Sequence, residues 1–458
     1  MAWVVDSYTL VLACLLLPAG AIGDRYGRRR ALLVGLAVFA VASFAPLIFD
    51  SPPQIIAARA VAGAGAAFVM PATLSLLTSV YPAEERTKAV GIWAGVAGSG
   101  GVVGLLGAGL LLDFWAWQSI FWMLGSCGFV LFLLALTVAE SRKGNPPPLD
   151  WAGAVSIAAA VAIFVFGILR APTDGWTDAR VYGCLVGGAG LALVFGFIEL
   201  RRRHPLLDVR LFMNPEFGTG AAAITVIFMA TNALFYLIAQ YIQQVLGYSA
   251  LRTAFALSPL ALPLLTFSVL APRYLPRLGM RLVIFASMVL VSVGFLCMLT
   301  LGPHASFVDL FWPQLVISSG FGLATAPTTS AIMGAAPEEK QGVASAINDA
   351  TREVGSALGV ALAGSILAGS YSHRIAARLT VLPQDVRGAA SDSLTHALAI
   401  AERSGPQGNQ LAEASEEAFT AAMHSSFVVM AAVVGVAAVL VPLFARGAMA
   451  HSCLRYDA

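Results

Sequence analysis

Stretches of about 20 mostly apolar residues, the length that carries a helix across the hydrocarbon core of a bilayer, recur thirteen times along this chain. They lie at 3–23, 31–49, 54–80, 88–112, 117–138, 151–170, 181–200, 217–246, 250–275, 281–301, 307–334, 343–369 and 420–445. In hydrocarbon every backbone N–H and C=O needs a partner inside the protein, so only helices or a closed barrel can span. Runs of this length without strict alternation select helices. The composition agrees: 58% of the 458 residues are hydrophobic and 11% charged, with a mean hydropathy of +0.81, far from the balance of a soluble domain. The expectation is an all-α, polytopic membrane protein with thirteen transmembrane helices. The net charge of +2 points to no nucleic-acid partner. The five Cys are isolated, without disulfide or zinc spacing. No nucleophile, metal or phosphate motif is visible, which argues against an enzyme and calls for no cofactor. Residues 1–23 do not read as a signal peptide, because the basic cluster follows the apolar run.

Basic residues assign the sides. The short loops after the odd-numbered helices, with the C-terminal tail, hold eighteen Arg or Lys, against three (Arg170, Arg180 and Arg252) in the short loops opposite. This makes the C-terminus cytoplasmic and places Met1 outside. The chain also repeats weakly, with a shift of about 254 residues. Pro71 is echoed by Pro327, Pro82-Ala-Glu84-Glu85-Arg86 by Pro337-Glu338-Glu339-Lys340, and DRYGRR (Asp24 to Arg29) by PRLGMR (Pro276 to Arg281), with Gly27 opposite Gly279. A repeat that keeps orientation divides the chain into an N-terminal bundle (1–139, five helices), a linker with two extra helices (140–210) and a C-terminal six-helix bundle (211–458). The external stretch 370–419 within the last is too polar to span. Its segments 384–403 and 409–423, broken at Gly405-Pro406, fit a small helical hairpin and a disordered loop equally well.

The twelfth stretch, Val343 to Gly369, crosses a bilayer while carrying Asp349, Arg352 and Glu353. A charge at mid-bilayer depth costs roughly 2.5–3.5 kcal/mol on insertion scales, so such residues usually face a partner or a cavity. At i, i+3 and i+4 all three project from one face. A self-neutralising cluster holding helices in register is one reading; a proton or cation site inside a transporter is the sharper one. Arg59, about 9 Å inside the outer end of the third helix, has two readings as well: an ion pair, with Asp6 as partner, or a role in proton coupling. Asp6 also fits an interfacial position at a helix end. Phe228, Phe235, Tyr236 and Tyr241 on the eighth helix could stack on a lipophilic cation or face lipid.

Gly20-Ala-Ile-Gly23-Asp24-Arg25-Tyr26-Gly27-Arg28-Arg29 is the sharpest motif. A positive-inside anchor would explain its Arg residues but not the Gly–Asp–Arg–Gly spacing. In a cytoplasmic loop between two spanning helices, it resembles the signature of the major facilitator superfamily. Trp3-Val-Val-Asp6-Ser-Tyr8, Arg59 with Gly63 and Gly65, Met70-Pro71, Pro205 to Phe212 and the twelfth helix resemble the 14-helix drug:proton antiporters, with the quaternary-ammonium and methyl-viologen exporters nearest. The chain departs from them in three places. Leu105 stands in the glycine run of the stretch 88–112, in place of the Pro that the antiporter motif carries in the family's fifth helix. Asn348-Asp349 and Glu353 replace a Glu-Glu pair and an Asp. Leu262-Pro263-Leu264-Leu265 offers no acid.

The resemblance implies a major facilitator fold and proton-coupled efflux of lipophilic organic cations by alternating access. Asp6, Arg59, Asp349, Arg352 and Glu353 would couple the fluxes. Gly20, Asp24, Arg25, Gly27, Arg28 and Arg29 would form the cytoplasmic gate. The expected partners are drug-like molecules, protons and lipid, in a monomer in a bacterial cytoplasmic membrane, driven by the proton gradient. Export of an uncharged antibiotic or natural product is the alternative, as is a non-transporting member of the same fold. Counted against the family pattern of fourteen, the chain lacks the first helix.

Overall fold

The computed structural model describes residues 3–49, 51–141, 149–202, 205–376, 378–379, 387–388, 390–391, 393–403 and 406–445. Met1, the Pro-rich 144–148, Gly405 and the tail from 446 lie outside the described residues. Those described form helices and turns, with no strand among them. In chain order the helices are α1 (Trp3–Tyr26), α2 (Arg28–Phe44), α3 (Pro52–Val80), α4 (Ala83–Phe114), α5 (Gln118–Ala135), α6 (Trp151–Asp174), α7 (Ala179–Glu199), α8 (Pro215–Gln240), α9 (Ala250–Leu257), α10 (Ala261–Cys297), α11 (Phe307–Ala335) and α12 (Gln341–Ala376). An outlying helix, Leu394–Arg403, and a C-terminal helix, Pro406–Leu443, complete the fold.

Local chemistry sets the ends. Asp150, Asp178, Asn214, Ser249 and Ser306 cap α6, α7, α8, α9 and α11 by accepting first-turn N–H groups. Gly27 separates α1 from α2 with φ 114°, a conformation that side chains with a Cβ disfavour. Gly279, its counterpart in the repeat, has φ 74° and breaks α10 at the same point of the second half. Of the described residues only four have positive φ, all glycines.

Among the described residues twelve helical stretches are long and apolar enough to cross a membrane. One of them, Ala250–Thr300, has 51 residues, about 77 Å of helix at 1.5 Å per residue, and contains the break at Gly279. The stretch 409–423, which fitted an arm of an external hairpin and a disordered loop equally well, is instead helix continuous with the last span. The reason is packing: Leu411, Ala418 and Phe419 are buried on the inner face of this helix, which packs on the Leu394–Arg403 helix.

α1 packs on α3, and α2 on α3 and α5. α10 packs on α11, α8 on α11 and α12, and the C-terminal helix on α10 and α12. Two seams join these groups: α1 against α12, and α4 against α9 and α10. α6 lies over the first seam, touching both α1 and α12. The largest apolar core belongs to α8, α10, α11, α12 and the C-terminal helix, around Tyr241, Phe295 and Phe427. Trp122 and Phe129 of α5 and Leu193 and Phe197 of α7 point outward, the lipid-facing surface a bilayer requires.

Candidate functional site

α12 brings its charged face into the middle of the molecule. Asp349 is fully buried and Arg352 is 5% exposed. The Arg352 guanidinium lies 5.1 Å from the centre of the Trp93 ring on α4 and 4.8 Å from that of Phe228 on α8. Its Nη2 donates to Thr329 Oγ1 on α11 at 2.9 Å. Four helices therefore meet on one cation. Asn348 Nδ2 donates to Asp349 Oδ1 at 3.2 Å. Asp349 Oδ2, Asn348 Oδ1 and Arg352 Nε are buried without a hydrogen-bond partner among the described residues. The i, i+3 and i+4 spacing would allow Arg352 to neutralise Asp349 and Glu353. Yet among the described residues no N···O contact within 4 Å joins Arg352 to either. The cation sits on rings, and the carboxylates stand beside it.

A second polar patch adjoins the first. Arg59 on α3 lies over the Tyr8 ring on α1 at 4.3 Å and donates from Nε to the Val4 carbonyl at 3.3 Å. Tyr8 is within electrostatic reach of both Arg59 and Glu353, so the α1–α3 pair and α12 share one polar neighbourhood. The expected Asp6–Arg59 ion pair is not formed among the described residues. Arg59 turns its face to Tyr8, and Asp6 sits half-buried near the start of α1. Of the four aromatic candidates, Phe228 reaches the site. Tyr236 packs against α12 at Gly364, and Phe235 leans on the core of the second half. Tyr241 is buried in that core and donates its hydroxyl to the Gly302 carbonyl. Its side chain is thus placed away from the charged face.

The Gly20–Arg29 motif builds a latch at the Arg-rich end of the α1–α12 seam. Asp24 Oδ1 accepts from Arg28 Nε at 2.9 Å and Nη2 at 2.8 Å. It also accepts from the Gly342 N–H at 2.9 Å, while Oδ2 accepts from the Val343 N–H at 3.0 Å. These are first-turn donors of α12, which have no partner within their own helix; an acid there also meets the positive end of the helix dipole. Arg28 Nη2 reaches on to the Glu338 carbonyl at 2.8 Å. Gly20 permits this closeness, since a Cβ there would strike the Gly342 carbonyl. Arg29 turns the other way and donates to the Leu136 carbonyl at the end of α5. Arg25 lies over the Tyr26 ring. Around the latch, Arg86 pairs with Glu338 at 3.0 Å and Thr78 donates to Gln341.

Trp93 and Thr329 were not singled out from sequence. Trp93 had a signal: it is the one aromatic residue in α4 before Phe114, in a run otherwise of small and aliphatic residues. Thr329 had none. The run around Leu105, where the antiporter motif carries Pro, is unbroken α-helix.

The family model described as the Major Facilitator Superfamily matches residues 1–360. The chain belongs to the major facilitator superfamily. Members of this superfamily are transporters and not enzymes. Over 370 residues the chain is 33% identical to the multidrug resistance protein Stp of Mycobacterium tuberculosis, covering 80% of this chain and 69% of the relative. It is 31% identical over 428 residues to the methyl viologen resistance protein SmvA of Salmonella typhimurium, covering 92% of this chain and 85% of that one. The fold superposes on the human organic anion transporter MFSD10 with a TM-score of 0.58 at 14% identity, over 94% of this chain and 83% of that one. The protein is thus a multi-pass membrane protein of the superfamily, with relatives among its multidrug efflux members.

Proposed function

We propose that this transporter exports lipophilic organic cations, quaternary ammonium compounds among them, in exchange for protons across a bacterial cytoplasmic membrane. The observation that carries the reading is the fully buried Asp349 with the half-buried Glu353 one turn on, set beside an aromatic cation seat where α4, α8, α11 and α12 meet. A carboxylate in such a place binds a proton or a cation, and binding one displaces the other. Each pH unit across the membrane supplies about 1.4 kcal/mol per proton, enough to hold a roughly tenfold concentration ratio of a monovalent cation exchanged for one proton.

In this reading the Arg-rich end is cytoplasmic, as is the C-terminus, and the Asp24 latch holds that end closed. The cycle must repopulate that closed state while the opposite end is open, and the bonds from Asp24 to the α12 N-terminus set how well it does so. The stretch Ala250–Thr300 makes two spans that turn at Gly279, giving thirteen. Residues 1–139 and 211–458 are the two moving bundles, and of the 140–210 linker α6 packs over the α1–α12 seam with α7 against it. The functional unit is a monomer. The SmvA resemblance favours cations over neutral substrates.

Purified protein in liposomes tests the reading. With an imposed pH gradient, tetraphenylphosphonium should move against its concentration gradient and protons should move the opposite way. Transport of neutral compounds alone, or cation flux indifferent to the pH gradient, would contradict it.

A further inference from the structure

Arg352 has two seats within reach and occupies the less obvious one. A buried guanidinium ordinarily takes a carboxylate, which matches its fork of donors. Asp349 stands three residues before it on the same helix face, yet Arg352 lies between Trp93 and Phe228 and spends one N–H on the neutral hydroxyl of Thr329. The cost of that choice is visible on both partners: Arg352 Nε and Asp349 Oδ2 are buried and unpartnered. Swinging the guanidinium to Asp349 would satisfy both atoms and vacate the two rings.

We propose that the Trp93–Phe228 pair is the seat for the exported cation's charged group, and that Arg352 is its resident occupant, moving to Asp349 when the substrate enters. The inference rests on the cation-export reading above. A quaternary or aryl phosphonium centre has no N–H to satisfy, so an aromatic seat loses it nothing, whereas a guanidinium there leaves donors unpaired. This asymmetry lets the substrate win the seat. Charge supports the exchange. With Arg352 on Asp349 and a monovalent cation on the rings, Glu353 balances the substrate and the site is neutral. When the substrate leaves and Arg352 returns, one negative charge is left over, and one proton neutralises it. The structure therefore assigns Arg352 as a specificity-determining residue that suits the site to monovalent cations. A divalent cation needs both carboxylates and must compete with Arg352 for Asp349.

The test is equilibrium binding of tetraphenylphosphonium to the purified full chain in detergent, for wild type, Arg352→Gln, Trp93→Ala and the double variant. Arg352→Gln should bind about tenfold tighter, the scale of one buried cation–π contact. Trp93→Ala should bind weaker by a similar factor, and in its background Arg352→Gln should gain little. Arg352→Lys, which keeps the charge but loses the planar stacking, should fall between wild type and Arg352→Gln. If Trp93→Ala is not monodisperse, Phe228→Ala serves the same arm. An affinity that does not rise in Arg352→Gln overturns the proposal. So does a rise of equal size with and without Trp93, since that would be simple relief of charge repulsion. Wild type that binds the cation in this way but does not exchange it for protons in liposomes would sink the transport reading alone; wild type that does not bind it at all sinks both.

Discussion

α4 and α12 occupy matching slots in the two halves and have been put to opposite uses. Each follows a proline with nearly the same backbone: Pro82 has ψ 159° and Pro337 has ψ 155°. Aligned on those prolines, Gly100 and Gly104 of α4 stand opposite Gly355 and Gly359 of α12. On α12 these glycines let α8 approach until a Cβ would collide with the backbone of Thr225 and Met229. Where α12 carries Asp349, Arg352 and Glu353, α4 carries Ala94, Ala97 and Gly98. One copy of the element carries the charges. The other is apolar, packs on α10 through its opposite face, and lends the site a single ring, Trp93. A repeated scaffold can thus confine the costly buried charges to one helix, where a close neighbour excludes lipid from them.

The comparison can be broken most severely at the glycines. Gly359→Leu should abolish folded yield, because the side chain meets backbone that cannot give way, an overpacking cost of at least about 1–3 kcal/mol. Gly98→Leu on α4, opposite Glu353, should lower the melting temperature by less, since its Cβ meets the end of the flexible Leu264 side chain and not backbone. Fluorescence-detected size-exclusion melts of both variants decide it. Equal damage would mean that the packing around α4 is as unyielding as that around α12.

The latch gives a smaller effect. Asp24→Asn weakens the bonds to Arg28 and to the α12 N-terminus, and should slow turnover roughly tenfold or more, the worth of a charge-assisted hydrogen bond. Substrate affinity should be unchanged, because Asp24 contacts only the Arg-rich end of the seam. Steady-state flux at several substrate concentrations separates the two. A selective loss of affinity would remove the latch assignment. The smallest effect belongs to Arg86 and Glu338, whose side chains are 30% and 50% exposed. A double-mutant cycle on thermal stability should give a coupling below about 1 kcal/mol, as exposed pairs do.

Most of the fold was legible because hydrocarbon leaves the chain few options. The spans follow from runs of apolar residues, and the Gly27 and Gly279 breaks from a repeat in which only glycine fits. The motif around Asp24 was legible as a tight turn between two spanning helices, but its partners were not. Gly342 and Val343 act through backbone N–H groups, which any residue supplies. The charged face of α12 followed from helical spacing. What lies against it did not, since Trp93, Phe228 and Thr329 come from three other helices and are joined to it only by packing. The expected Asp6–Arg59 pair failed for a related reason: opposite charges in one bundle suggest an ion pair, but the fold set Tyr8 under the guanidinium. Helical composition in 409–423 could not reveal that the helix runs on into the last span.

The central claim is that the carboxylates of α12 exchange protons for cations. It is tested most directly by proton-driven export of tetraphenylphosphonium in proteoliposomes containing Glu353→Gln, compared with wild type at equal reconstituted amounts. The account predicts a folded, monodisperse variant with no response of flux to the pH gradient. Export at the wild-type rate with the same gradient dependence would contradict it, and would leave Asp349, Arg352 and Glu353 as a structural cluster holding α12 in place.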